Sequence, residues 1–185
     1  SLRGPFNAVT NGMPYECKET ATAMALLAFL GNGQTTQVGN YQDTVKRGID
    51  WLLELQNQSG EFSTKLRPHP FHIQGQCTTA LCELYVLTRD ASLRSPCERA
   101  VKCIVDSQST EGSWRGWRAG QTPIIGDALA TGWTFMALQS ARMAGLDVPQ
   151  ETLDRVSKFL DRITDYSGSP NGSRGEPLQS SMMAE

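Results

Sequence analysis

Gln108-Ser-Thr-Glu-Gly-Ser-Trp114 and Gln56-Asn-Gln-Ser-Gly-Glu-Phe62 share one spacing, Gln-x-x-x-Gly-x-aromatic, at an offset of 52 residues. Two such segments in one chain point to an internal repeat, and a fixed period decides the architecture before any local propensity does. Upstream, Ala25-Leu26 matches Ala80-Leu81 and then Ala137-Leu138, at offsets of 55 and 57. Downstream, Val101, Ile104 and Val105 match Val156, Phe159 and Leu160 at an offset of 55. Three units, about 14–62, 74–114 and 127–165, account for nearly the whole chain, which reads as a single repeat domain over 1–185.

Each unit pairs two helices of different character. The first is apolar nearly all round, at Ala21–Leu30, Thr79–Leu87 and Leu129–Met143, which predicts burial on every side. The second is one-sided. Val45, Ile49, Leu52 and Leu53 form one stripe; Cys97, Val101, Ile104 and Val105 the next; Leu153, Val156, Phe159, Leu160 and Ile163 the third. Spacings of i, i+3, i+4, i+7 bury one face and leave the charges in water.

The boundaries fit this division. Ser95-Pro96-Cys97-Glu98 reads as a capping box with Ser95 at the N-cap, and Asn40 with Asp43 repeats that logic more weakly. Pro149 opens the third outer helix, and Gly31 and Gly145 stand where a left-handed residue would end an inner one. No segment alternates with period two. The fold class is all-α, with wholly apolar helices inside and amphipathic ones outside, in two layers.

Composition narrows the partners. A formal net charge of −2, from 17 basic and 19 acidic residues interspersed, leaves no electrostatic footprint for nucleic acid. The longest apolar run, Ala21 to Leu30, is too short to span a bilayer, so no transmembrane segment is expected. Five cysteines without a Cys-x-x-Cys pair suggest neither a disulfide framework nor a zinc site. They read as small hydrophobes, which favours a reducing, cytoplasm-like compartment.

The Gln108 to Trp114 segment resembles the QW repeat of squalene and oxidosqualene cyclases, and Ala80-Leu81 and Ala137-Leu138 sit where that family packs its inner helices. Gly132-Trp133 through Ala137-Leu138, with Ser140-Ala-Arg-Met-Ala-Gly145, is similar to the squalene-cyclase/prenyltransferase-repeat proteins of planctomycete-type bacteria. The resemblance, over roughly 20–165, implies an α/α-toroid of terpenoid cyclase type. Closed members use about twice as many hairpins, so three imply about half a ring. Such a half-ring belongs to a larger protein, dimerises or pairs with another half-toroid, or leaves its inner face open. Residues 166–185 read as a loop followed by the start of a further apolar helix at Ser180-Ser-Met-Met-Ala-Glu185.

The resemblance also implies chemistries that can be checked residue by residue. Class II terpene cyclases protonate an alkene with the central acid of Asp-x-Asp-Asp-Thr. The matching stretch is Asp127-Ala-Leu-Ala-Thr131, with Leu129 at the position of the acid. Only Asp127 survives, as a weak catalytic candidate or a helix N-cap. Protein prenyltransferases hold zinc through Asp-x-Cys, which does not occur; His69 and His72 lack a third ligand nearby. Complement-type thioester domains need Cys-x-x-Gln, and Cys17-Lys-Glu-Thr20 lacks the glutamine. No metal and no cofactor is implied.

Repeat offsets bring Leu129, His72 and Cys17 to equivalent inner-helix starts, at one positively polarised end of the layer. Cys17, His72, Gln76 and Asp127 would rim that end, with Trp117 and Trp133 as aromatic candidates. Gln56, Gly60, Phe62, Gln108, Gly112 and Trp114 read as structural ties between hairpins. The reading that follows is a non-catalytic toroid-repeat module that binds an apolar small molecule or protein partner through its concave inner face. The alternative is a terpenoid cyclase-like or prenyltransferase-like enzyme whose acid comes from another part of the protein.

Overall fold

The structure, a computed structural model, describes residues 18–62, 71–114 and 128–167. Six α-helices and no β-strand are present among the described residues: α1 (Lys18–Gly31), α2 (Gln42–Leu55), α3 (Phe71–Thr88), α4 (Arg94–Asp106), α5 (Ala128–Met143) and α6 (Gln150–Ser167). The all-α arrangement of apolar and amphipathic helices holds. Helix α3 packs between α1 and α5 and against α4; α2 covers α1, and α6 meets α5. Thus α1, α3 and α5 form an inner layer with α2, α4 and α6 outside it.

The three inner helices run parallel. Gly75 abuts the Trp133 backbone near the starts of α3 and α5. Two turns on, Ser140 Oγ donates to Glu83 Oε1 at 2.5 Å. At the starts of α1 and α3, Cys77 Sγ lies 3.9 Å from the Glu19 carbonyl. Beyond their ends, Gln37 Nε2 reaches the Thr88 carbonyl at 3.4 Å. All three N-termini therefore lie at one end of the layer.

Burial on every side is true of α3 alone. Ile73 to Cys82 form an unbroken buried run, whereas α1 exposes Ala21, Met24, Ala25 and Ala28, and α5 exposes Leu129, Met136 and Met143. The cause is position in the layer: α3 has a neighbour on both sides, and α1 and α5 each have one among the described residues. The outer helices bury the expected stripes, Val45, Ile49 and Leu52 in α2 and Cys97, Val101 and Ile104 in α4. Their solvent faces carry exposed i,i+4 ion pairs such as Lys46–Asp50 and Lys102–Asp106, worth about 0.3–0.5 kcal/mol each.

Three cap assignments change. Helix α4 starts at Arg94, after a 3-10 turn (Ala91–Leu93) whose N-cap is Asp90, accepting from Ser92 N at 2.9 Å. Ser95 is thus inside the helix, because the 3-10 turn has already satisfied the entry. Helix α2 has Tyr41 at its N-cap with no side-chain cap bond, so Asn40 does not serve. Gly31 remains helical while Gly33 takes the left-handed conformation after α1; Gly145 takes it after α5 as expected.

The two Gln-x-x-x-Gly-x-aromatic segments make equivalent contacts one hairpin apart. Gln56 Nε2 donates to the Pro96 carbonyl in α4 (2.9 Å), and Gln108 Nε2 to the Thr152 carbonyl in α6 (3.0 Å). Phe62 N donates to Gln74 Oε1 in α3, and Trp114 N to Thr131 Oγ1 in α5, both at 3.1 Å. Gln74 and Thr131 are equivalent at the inner-helix offset of 57. Phe62 and Trp114 are both fully buried, so each segment clamps the next outer helix and the first turns of the next inner one.

Candidate functional site

The inner-helix starts are the natural place for a site, because the positive ends of three helix dipoles converge there. His72 occupies the first turn of α3 and is half-buried; Gln76, one turn on, is 6% exposed. The Gln76 carbonyl oxygen Oε1 is buried with no hydrogen-bond partner, which is costly for an acceptor unless something donates to it. Trp133 is half-buried, and its backbone lies against Gly75, beside Gln76. The structure therefore brings His72, Gln76 and Trp133 to one region of the α3–α5 pair. Cys17, Trp117 and Asp127 lie outside the described residues, as does His69.

Helix α3 carries more than the expected candidates. His72, Gln76, Thr79 and Glu83 follow i, i+4, i+7, i+11 and share one face. Thr79 Oγ1 donates to the Gly75 carbonyl at 2.8 Å, so its hydroxyl is occupied by its own helix. Glu83 is half-buried and bonded to Ser140, joining α3 to α5 through a carboxylate–hydroxyl contact. Glu83 and Ser140 were absent from the candidates because Thr79–Leu87 reads as apolar; the heptad interval between Gln76 and Glu83 is the signal that marks them.

The first turn of α5 contains no acidic side chain among the described residues. Leu129 is 59% exposed, Ala130 is fully buried, and Thr131 gives its oxygen to the Trp114 amide. None of these side chains can deliver a proton to an alkene. Cys82 and Cys103 are also poor nucleophiles. Cys82 and Cys97 are buried free thiols; the hydrogen bond that the Cys82 thiol makes to Cys97, then burial, then the charges of Cys97 and Glu83 hold the Cys82 pKa well above the usual thiol range. Burial, with Glu61 and Asp106 nearby, pushes Cys103 up to about 11. A thiol held in its neutral form reacts slowly. Among the described residues no three His, Cys, Asp or Glu side chains converge as metal ligands, and no helix is long and apolar enough to cross a membrane.

A family model described as "Domain of unknown function (DUF6288)" matches residues 8–180. The chain belongs to this family. It is also 32% identical to a protein named copalyl diphosphate synthase from Streptomyces cyslabdanicus, over 61% of this chain and 22% of that protein. The chain thus spans less than a quarter of the length of that curated relative. No solved structure matches. The similarity is of terpenoid cyclase type and covers part of the chain, in keeping with an all-helical, toroid-like arrangement.

Proposed function

We propose that this chain is a non-catalytic, terpenoid cyclase-like repeat module that binds an apolar ligand or partner through its inner helices. The observation that carries the reading is Leu129, a hydrocarbon side chain in the first turn of α5 at the position where the cyclase motif needs its acid. The polar face of α3 supports a ligand with one polar end. Gln76 Oε1 needs a donor, and a hydroxyl at the end of an isoprenoid chain supplies one while the chain lies along apolar helix surface.

Geranylgeraniol is a suitable probe, with binding followed by quenching of tryptophan fluorescence and products by gas chromatography–mass spectrometry. Saturable quenching with the alcohol recovered unchanged is the expected result. A cyclised product would overturn the non-catalytic part, and a flat titration the binding part. The likeness to a copalyl diphosphate synthase favours a second reading, in which an acid elsewhere in a longer protein acts on a ligand held here. It requires cyclised product from that longer protein and its loss when the distant acid is replaced by its amide.

A further inference from the structure

Two edges of the inner layer carry complementary surfaces, and the α3–α5 joint shows how they fit. A β-carbon on Gly75 would lie 2.6 Å from the Trp133 carbonyl carbon, 2.8 Å from the Thr134 nitrogen and 2.9 Å from the Trp133 β-carbon. Helix α5 therefore sits in a notch that exists because residue 75 has no side chain. The inner-helix offset of 57 carries Gly75 onto Gly132. Among the described residues nothing lies within 4 Å of a β-carbon built there. The notch recurs on α5, and no described residue fills it.

Its surroundings are those of a joint and not of a solvent face. Leu129, Met136 and Met143 stand on the same side of α5 as Gly132, at i−3, i+4 and i+11, and are 59%, 50% and 65% exposed. No ionisable side chain occurs from Ala128 to Ala141. An exposed apolar helix face of this kind marks an interaction surface.

The other edge of the layer is on α1. Helix α5 meets α3 through Trp133, Thr134 and Ser140, the face that includes Ala137. Repeat register carries those positions onto Ala21, Thr22, Ala28 and Ala25 of α1. Ala80 and Ala137 are fully buried, whereas Ala25, in the same register, is exposed with Ala21 and Ala28. From Ala21 to Gly31, α1 also has no ionisable side chain. One edge offers a notch flanked by leucine and methionine, and the other a ridge of alanines that permits close backbone approach.

We infer that a second copy of this chain docks edge to edge, its α1 seated in the Gly132 notch of α5 and continuing the joint that α3 makes with α5. The contact is heterologous, so each copy retains a free edge until the arrangement closes. The inference concerns the edges of the layer and does not depend on a ligand at the inner-helix starts.

Sedimentation equilibrium and light scattering across a concentration series test it. The wild-type chain should self-associate. Gly132→Leu fills the notch, and Ala25→Glu places a charge on the ridge; each should shift the apparent dissociation constant at least tenfold towards monomer. Both sites are at least partly exposed, so far-UV circular dichroism and melting temperature should show intact monomers. Mixing Ala21→Cys with Gly132→Cys, the pair that repeats the contact of Trp133 with Gly75, should under mild oxidation trap a disulfide between copies. A wild-type chain that stays monomeric at every concentration overturns the inference and leaves the notch to a further hairpin of a longer chain. Association that both variants leave unchanged overturns it equally, by placing the contact elsewhere.

Discussion

A β-carbon on Gly60 would lie 2.0 Å from the carbonyl oxygen of Arg99, and the glycine holds φ at +84°. Gly112 repeats the relationship against Arg155, at 2.1 Å with φ +86°. At both places the loop after one outer helix presses its backbone on the next. Alanine would meet a backbone oxygen that cannot swing aside, in a conformation that L residues rarely adopt. Gly60→Ala and Gly112→Ala should each cost at least about 2 kcal/mol, read from urea denaturation. Gly31→Ala, where a β-carbon meets nothing within 4 Å among the described residues, is the control and should be neutral or slightly stabilising.

The two glutamines of the loops are not equally satisfied. Gln56 donates to Pro96 O and accepts from the Arg99 guanidinium at 2.9 Å. Gln108 donates to Gly112 O and Thr152 O, but its own Oε1 is buried without a partner. Gln56→Ala should therefore lose more stability than Gln108→Ala, by about 1 kcal/mol, since a charge-assisted bond goes with it. Equal losses in denaturant midpoint would show that the Arg99 contact contributes nothing.

Trp114 differs from Phe62 in one bond: its Nε1 donates to the Ile104 carbonyl at 2.7 Å near the end of α4. Trp114→Phe makes the second loop resemble the first while removing that donor and some volume. A loss of about 1–3 kcal/mol is expected from the buried bond and the cavity together, with the fold retained in circular dichroism. Phe62→Leu, which touches no such bond, should cost through packing alone.

Cys103 links stability to alkaline pH. Its folded pKa is raised from 9.0 to about 11, so the folded state holds the thiol proton more tightly than the unfolded chain does. The contribution is fully present below pH 9 and is lost as pH rises towards 11. Wild-type stability should fall more steeply than that of Cys103→Ala over that window. At neutral pH the native protein should react slowly with a chromogenic disulfide at Cys82, Cys97 and Cys103, and quickly once unfolded.

Most of the helical frame was legible in the residues. The loops at Gln56 and Gln108 announced the period, and the stripes at Val45, Val101 and Val156 marked which helices lie outside. Helix starts were less legible. Ser95 has the composition of an N-cap with Pro96 as the first helical residue, yet a 3-10 turn capped by Asp90 lets α4 begin two residues earlier, at Arg94. Register placed His72 level with Leu129 and Cys17 at the inner-helix starts, with Gln76 and Trp133 as further candidates, and the contact of Gly75 with Trp133 sets Trp133 against the first turns of α3. Glu83 was hidden inside an apolar run, because a hydropathy pattern does not report that a single carboxylate meets Ser140 across a helix pair.

Ala25, Ala80 and Ala137 mark the division between the two kinds of information. The sequence by itself determined that they are one position repeated three times, because helical period and repeat offset are properties of the chain. Only the tertiary structure decided that Ala80 and Ala137 are buried and Ala25 is exposed. Among the described residues α3 and α5 each lie against a preceding inner helix and α1 does not, and that is a matter of neighbours in space.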